Sequence, residues 1–500
     1  MVTTSRTVPA ASQPTTSGHA AGNAQPRRFT TRHLSMMALG SAIGAGFFLG
    51  TGEAIAQAGP AVLISYILAA FVAVSVMYAL AEIASALPST GSFSTYAEVG
   101  IGRWAGFTVG WLYWFMLILV LGMEITGAAR IFTGWFPGVP QWSVALVIVI
   151  VFGGINLMAA GDFGEVEAWL AGIKVTAIIV FMIIAIGLVT SVIPGRAGSI
   201  ADNLLGHGGL MPTGMSGVAV GLLAIITSFG GIETVTIAAA EAEDAREAMS
   251  RAIRSVIGRI LVFYVGSVVL LVCLLPWDSE QMRQSPFAAV LTMAGVPAVG
   301  VIMEAVVFVA LISAFSAIVF ASSRMAYSLS ARGMGWTWLL GSAAPAARLS
   351  TDEGGHRVSE IVDEEGAVGD IARGRTPRRA VSVSIALALV SVALNWYLPE
   401  VLLGILINAI GMVLLVAWVF IVVSHIRLRP RLDAEGIDRV MMPGWPWLDW
   451  VVLASLAGVG GLMAWDPVAR RQLIAMTALT VIIVAIYAVR RWWLSRSGRV

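Results

Sequence analysis

The chain has 500 residues, of which 58% are hydrophobic and only 12% are charged, and its mean hydropathy is +0.85. Charged residues make up about a quarter of a typical soluble domain, so this composition excludes a water-soluble fold. The formal net charge of +2 indicates no class of partner, because in a membrane protein the position of charges matters more than their sum.

Repeated apolar stretches dominate the chain. Each runs for roughly 20 residues, enough for a helix to cross about 30 Å of hydrocarbon. No alternation typical of barrel strands is present, which excludes an outer-membrane porin. The pattern predicts twelve membrane helices, at 33–55, 60–86, 105–134, 142–160, 165–193, 214–240, 252–276, 297–327, 380–398, 400–426, 446–465 and 472–491.

Two segments outside the spans are polar. Residues 1–30 are rich in Ala, Ser, Thr, Gly and Pro, which indicates a disordered tail, and we expect no cleavable signal peptide. The connection 328–378 mixes acidic residues with Gly, Ala and Arg. It is predicted to be a flexible loop, because it has too few apolar residues to form a separate domain.

Basic residues are distributed unevenly between the two sides of the predicted bundle. With the N-terminus inside, 25 of the 31 Lys and Arg residues lie on inner segments. The outer segments hold only Arg196, Arg283, Arg470 and Arg471. The positive-inside rule therefore predicts a multi-pass protein of the cytoplasmic membrane with both termini in the cytoplasm.

Two predicted spans contain glycine clusters in their interior, at Gly40–Phe47 in the first span and Ser228–Glu233 in the sixth. Glycine costs about 1 kcal/mol relative to alanine inside a helix, so such clusters indicate local unwinding. The N-terminus of a half-helix presents free N–H groups and a positive dipole end, which suit a carboxylate. Broken helices at corresponding places in two halves are typical of transporters built from inverted repeats.

Close helix packing is the alternative explanation of these glycines. Small residues at four-residue spacing allow two helices to approach, and Gly40 and Gly44 form such a pair. Two clusters five helices apart, one of them followed by an acid, favour a substrate site.

A series of motifs follows in order between about 30 and 430. They are Ile43–Gly50, Ala58–Ala61, Pro88–Ala97, Ile101–Gly106, Gly110–Trp114, Phe163–Glu165 with Lys174, Glu233–Glu241, Pro276–Trp277, Ser285–Phe287 and Ser323–Met325. In this order they resemble the amino acid/polyamine/organocation superfamily, and within it the bacterial amino acid permeases that include the 4-aminobutyrate permeases.

The resemblance implies an all-α membrane protein of the leucine-transporter architecture. Ten core helices would form two inverted repeats of five, with helices one and six broken, and two peripheral helices would follow. The corresponding domains are a cytoplasmic tail at 1–30, repeats at 31–193 and 214–426, peripheral helices at 440–491 and a second cytoplasmic tail at 492–500.

The resemblance also implies proton-coupled uptake of a neutral or zwitterionic amino acid, with 4-aminobutyrate as a candidate. The proton gradient would supply the energy, and we expect neither a cofactor nor a metal. The implied substrate-binding residues are Ile43, Gly44, Ala45, Gly46, Glu124, Phe229, Gly230, Gly231 and Glu233.

Glu124 lies midway along the third predicted span. An ionisable residue at this depth faces a cavity or a partner, which favours a functional role. A substrate ammonium is one candidate partner. Arg130 is the other, although a spacing of six residues places it on a different face of the helix.

Glu233 follows the glycine cluster of the sixth span. Two roles stay open for it. It either bonds backbone groups freed by the unwound segment, or takes part in proton exchange or gating.

Lys174 is the single lysine beside 30 arginines and lies in the fifth span. Burial disfavours the charged form of a lysine, so its charge can respond to conformation and to pH. The resemblance implies that its ammonium takes the place of the sodium ion that related carriers bind between helices one and eight, which gives it a role in proton coupling. The alternative is a lysine that extends to the cytoplasmic interface.

Other classes of function lack their signatures. The five histidines are scattered, Cys273 is the only cysteine and no Walker loop occurs, so neither an enzyme nor direct ATP coupling is predicted. An exchanger or an amino acid sensor with the same fold stays the alternative. The expected partners are an amino acid, protons and membrane lipids, without nucleic acid, and the oligomeric state stays open.

Overall fold

The computed structural model describes residues 44–87, 92–158, 163–195, 198–231, 245–296, 298–340 and 377–496. All regular structure within these ranges is helical. Two residues predicted to line the site, Ile43 and Glu233, lie outside the described residues. The tail 1–30 and most of the loop 328–378 lie outside them as well.

Seventeen α-helices occupy the described ranges. They are α1 (Ala45–Phe48), α2 (Gly50–Ala58), α3 (Val62–Ala86), α4 (Ser92–Gly100), α5 (Arg103–Trp135), α6 (Gln141–Met158), α7 (Phe163–Val189), α8 (Gly214–Ser228), α9 (Ala245–Arg259), α10 (Gly266–Leu274), α11 (Glu280–Gln284), α12 (Pro286–Met293), α13 (Val299–Ala331), α14 (Arg378–Tyr397), α15 (Leu402–Ala434), α16 (Trp447–Trp465) and α17 (Pro467–Arg496). Short 3₁₀ or π segments lie at Gly59–Ala61, Asp202–Gly206, Ile260–Val265 and Thr337–Leu340.

Eight helical stretches in the described part of the chain are long and apolar enough to cross a membrane. The first two predicted spans together form one of them, Ala45–Ala86, because only a short 3₁₀ turn separates α2 from α3. Three further apolar helices are shorter, at Gln141–Leu157, Gly214–Ser228 and Ile260–Leu274, where the fourth, sixth and seventh spans were expected. The all-helical membrane class is confirmed, whereas the arrangement of twelve helices in two repeats stays a prediction.

The long helices pack around the segment that begins at α1. Helix α5 lies along α13 and α15, and α2 lies along α8. Glycines allow the closest approaches, since a methyl group at Gly46 would lie only 2.9 Å from the carbonyl oxygen of Thr227. This packing brings α1, α5, α8 and α13 together inside the protein.

Buried ion pairs join α3, α15 and α16 at one end of the bundle. Glu82 lies 3.0 Å from both Arg429 and Arg439 through its two carboxylate oxygens. His425 lies between two acids, with Nε2 3.1 Å from Glu82 and Nδ1 3.0 Å from Asp449. All five side chains are buried, and Nδ1 of His425 is within hydrogen-bond distance of both Asp449 oxygens. This group could not be predicted from the sequence, in which the five histidines are scattered and His425 lies 343 residues after Glu82.

We expect Glu82→Gln to destabilise the protein by about 3–5 kcal/mol, because removing the acid leaves buried positive groups without their shared partner. Thermal unfolding of the purified protein in detergent would show a lower midpoint. Glu280→Gln is the matched control, since Glu280 is exposed and, among the described residues, its carboxylate accepts a hydrogen bond only from Gln284 in the same short helix. Equal midpoints for the two variants would contradict a stabilising role for Glu82.

Candidate functional site

Helix α1 begins inside the protein, directly after Gly44. Gly44 has an extended backbone, with φ −134° and ψ −155°, and every residue of α1 is buried. The chain continues from α1 through Leu49 into α2. Because the first N–H groups of a helix have no partner within it, this start places in the interior donors that need a partner from elsewhere in the protein.

The carboxylate of Glu124 binds the start of α1. The Ala45 amide donates to both Glu124 oxygens at 3.2 Å, and the Glu124 side chain is buried. A methyl group at Gly44 would lie 2.7 Å from Oε1 of Glu124, so glycine leaves the room that this carboxylate needs. Glu124 therefore does not bond Arg130, one of its two predicted partners. Its partner in this structure is a backbone amide of the first span, and the other predicted partner, a substrate ammonium, stays a proposal.

Lys174 lies close to the same point. Its side chain is 1% exposed, and its Nζ donates to the hydroxyl of Ser313 at 3.2 Å. This bond joins α7 to α13, and the ammonium is near enough to Glu124 to act on it electrostatically. The ammonium group is thus buried inside the protein.

The end of α8 contacts α1. Helix α8 ends at Ser228, whose hydroxyl oxygen lies within hydrogen-bond distance of the carbonyl oxygen of Gly46 and of that of Ala224, at 2.9 Å from the latter. Gly231 follows with φ +94°, a conformation that favours glycine. The glycine segments of the first and sixth spans therefore meet, and the residues after Gly231 lie outside the described ranges up to 244.

Buried aromatic rings surround these two helix ends. Tyr264 packs against Phe47 with a centroid separation of 4.7 Å and against Phe229 with 5.2 Å. We call the whole group the aromatic cluster, and its members are Phe47, Phe48, Tyr66, Phe181, Phe229, Tyr264 and Phe287. Of these rings, only Phe229 was predicted from the sequence to line the site. The others come from several separate spans, and no regular spacing along the sequence groups them.

The arrangement combines an anion, a cation and polar backbone in an apolar surrounding. Glu124 supplies a carboxylate, Lys174 an ammonium, and Ala45 an amide that already binds a carboxylate. These groups match the charged ends of a zwitterion. No metal-binding group of three or more His, Cys, Asp or Glu residues is present among the described residues.

Comparison with known proteins gives a consistent result. A family model described as amino acid permease matches residues 33–339 and 366–499. The chain is 46% identical to an aromatic amino acid transport protein of Corynebacterium glutamicum, with 88% of this chain and 90% of that protein covered. It is 36% identical to a gamma-aminobutyric acid permease of Escherichia coli, with 92% of this chain and 94% of that protein covered. It is 34% identical to a gamma-aminobutyric acid permease of Bacillus subtilis, with 93% of each chain covered. The chain therefore belongs to the amino acid permease family, whose members are membrane transport proteins rather than enzymes.

Proposed function

We propose that the protein imports a zwitterionic amino acid across the cytoplasmic membrane and couples this uptake to protons. The observation that carries the proposal is the contact between Glu124 and the Ala45 amide, with the Lys174 ammonium beside it on Ser313. The proposed architecture has twelve helices in two inverted repeats, at 31–193 and 214–426, with both termini in the cytoplasm. The aligned breaks at Gly44 and after Ser228 support it.

The substrate carboxylate would bind where Glu124 now lies. The Ala45 amide is a donor at the start of a helix, and such positions suit carboxylates. A substrate carboxylate that takes this amide displaces Glu124, which is then free to pair with the substrate ammonium. Both ends of the zwitterion are thereby partnered, as burial of charged groups requires.

Lys174 would carry the coupling proton. In its charged form it binds Ser313 on α13 and attracts Glu124 on α5, which in turn holds the start of α1. Loss of the proton removes the charge attraction to Glu124 and weakens the bond to Ser313, which lets these helices separate. A change of protonation thus shifts the balance between the outward-open and inward-open states.

Two substrates stand out among zwitterionic amino acids. An aromatic amino acid is favoured because the relative at 46% identity is named for that class. The aromatic cluster also offers ring surfaces beside the candidate site. 4-Aminobutyrate is the second candidate, since two relatives at 36% and 34% identity are named as permeases for it.

Uptake by the purified protein in liposomes tests the proposal. Labelled forms of the twenty amino acids and of 4-aminobutyrate would be offered with and without an inward proton gradient. We expect concentrative uptake of one chemical class that requires the gradient. Uptake that occurs only when the liposomes contain unlabelled amino acid would identify an exchanger, and binding without flux would identify a sensor.

Replacing Glu124 with glutamine tests its proposed contact with the substrate ammonium. We expect the apparent KM to rise about tenfold or more, because an interaction with a charged group is worth about 1.5–3 kcal/mol. The measurement is the initial uptake rate as a function of substrate concentration.

Glu304→Gln is the matched control for this variant. Glu304 is also a carboxylate in a long apolar helix, but it accepts a bond from the Trp135 indole at 2.7 Å, away from Ala45. Its KM should stay near the wild-type value. An unchanged or lower KM in Glu124→Gln would assign Glu124 to holding α1 instead of the substrate.

A further inference from the structure

A polar cavity lies beside the candidate site and contains charges that the proposed mechanism does not use. Its volume is about 310 Å³, within the range of small-molecule pockets. Residues of α2, α5, α11, α15 and α17 and the turn before α15 form its walls. The polar side chains that line it are Glu53, Arg130, Arg283, Glu400, Asn408 and Gln472.

The charges in the polar cavity are balanced. Two are carboxylates, Glu53 and Glu400, and two are guanidinium groups, Arg130 and Arg283. None of the four forms an ion pair within 4.0 Å with any residue in the described ranges. The cavity thus holds groups of both signs that a ligand can bind without first breaking an ion pair.

One wall of the cavity leaves a carboxylate open to it. Gly404 faces Glu53, since a methyl group there would lie 3.7 Å from Oε1 of that acid, an oxygen that accepts a bond from Gln57 at 2.8 Å. The absence of a side chain at Gly404 keeps the Glu53 carboxylate accessible from the cavity.

The floor of the polar cavity adjoins the candidate site. Leu49 links α1 to α2, and the carbonyl oxygen of Ile407 accepts a bond from Thr227, the residue before the end of α8, at 2.6 Å. Arg130 follows Glu124 by six residues on α5, about 9 Å along the helix at 1.5 Å per residue. Arg283 and the turn that contains Glu400 belong to the face predicted to be extracellular. The cavity therefore lies between that face and the site around Ala45.

We propose that the polar cavity is a second binding site for a zwitterionic amino acid. The guanidinium groups of Arg130 and Arg283 bind its carboxylate, and the carboxylates of Glu53 and Glu400 bind its ammonium. Guanidinium groups match carboxylates in shape and charge, and charge-assisted bonds of this kind are among the strong ones. The identity of the ligand rests on the proposed function, whereas the existence of the site rests on the cavity alone.

Equilibrium binding to the purified full-length protein tests this site. The probes are labelled L-phenylalanine and labelled 4-aminobutyrate. We expect two bound molecules per wild-type chain for the transported probe and one for Arg130→Gln. Arg470→Gln is the matched control, since Arg470 is an exposed arginine on the face predicted to be extracellular that does not line the cavity, and it should keep two.

Gly44→Leu separates the second site from the site around Ala45. This variant should retain one bound molecule, and the double variant with Arg130→Gln should retain none. Should Arg130→Gln perturb folding, Arg283→Gln and Glu400→Gln replace it, because both side chains are exposed. A single bound molecule that is lost in Gly44→Leu and unaffected by these three substitutions would overturn the second site while leaving the proposed function intact.

L-Phenylalaninamide, which lacks the carboxylate, tests the assigned chemistry. It should displace labelled L-phenylalanine poorly from the second site, which depends on Arg130, whereas unlabelled L-phenylalanine should displace it well. In uptake measurements Arg130→Gln should raise the apparent KM about tenfold with little change in maximal rate. Equal competition by both compounds, with an unchanged KM, would overturn the proposed binding of the carboxylate by Arg130 and Arg283.

Discussion

Lys174→Ala is expected to abolish accumulation of substrate driven by a proton gradient, while part of the binding survives. The Lys174 ammonium is buried on Ser313 and acts on Glu124, which holds the start of α1. Alanine removes the only lysine, and with it the group proposed to carry the proton. The ratio of internal to external substrate in proteoliposomes, measured with and without a pH gradient, checks this result.

Two further variants sharpen the test of Lys174. Arginine stays protonated and should lock one state, so Lys174→Arg should slow turnover rather than restore it. Thr176→Ala is the matched control on the same helix, because Thr176 is exposed and, within the described ranges, its hydroxyl bonds only the carbonyl oxygen of Gly172, at 2.8 Å. If Lys174→Ala concentrates substrate at the wild-type rate, and that rate still follows the pH gradient, the proton is carried elsewhere. Glu233 would then be the next residue to replace.

Gly44→Leu is expected to abolish substrate binding at the site around Ala45 without preventing membrane insertion. Already the first carbon of a side chain would lie 2.7 Å from Glu124 and 3.5 Å from the methyl group of Ala314. A leucine must therefore displace Glu124 from the Ala45 amide and fill the space of the substrate carboxylate. Gly231→Leu should have the same result, because a leucine strains the positive φ of +94°.

Gly458→Leu is the matched control for these two variants. Gly458 lies in α16, and an added carbon there meets no atom of the described residues within 4 Å. The amount of protein in the membrane fraction should be similar for all three variants. Binding at the site around Ala45, which does not depend on Arg130, should persist only in Gly458→Leu. Binding of normal affinity in Gly44→Leu that does not depend on Arg130 would contradict a site at the start of α1.

The long apolar helices could be predicted closely from the sequence. The spans expected at 105–134 and 446–465 correspond to Arg103–Trp135 and Trp447–Trp465. Apolar runs of this length have one stable form in lipid, since every backbone group must be bonded internally. The helices α4 and α11 were not anticipated, because they have nine and five residues and no long apolar run.

The tenth predicted span ends too early. It was expected to stop at 426, before a run of arginines, yet α15 continues to Ala434. The arginine Arg429 does not leave the protein there, because it bonds Glu82 at 3.0 Å. Charged residues in a sequence usually mark the end of a buried segment, because they need water. Here the distant acid Glu82 takes the place of water as the partner of Arg429, and only the fold shows this.

Single residues of the candidate site were found because ionisable groups inside apolar spans are rare. Glu124 and Lys174 stand out for this reason, and glycine clusters mark the break at Gly44. Their partners could not be predicted, since Glu124 and Ala45 are 79 residues apart and Lys174 and Ser313 are 139 residues apart. Such pairs depend on how helices pack, which no local pattern records.

A structure determined with the transported amino acid bound is the most direct test of the site around Ala45. The account predicts the substrate carboxylate within hydrogen-bond distance of the Ala45 amide, with the Glu124 carboxylate turned towards the substrate ammonium. A substrate bound elsewhere, with Glu124 still accepting from Ala45, would contradict it.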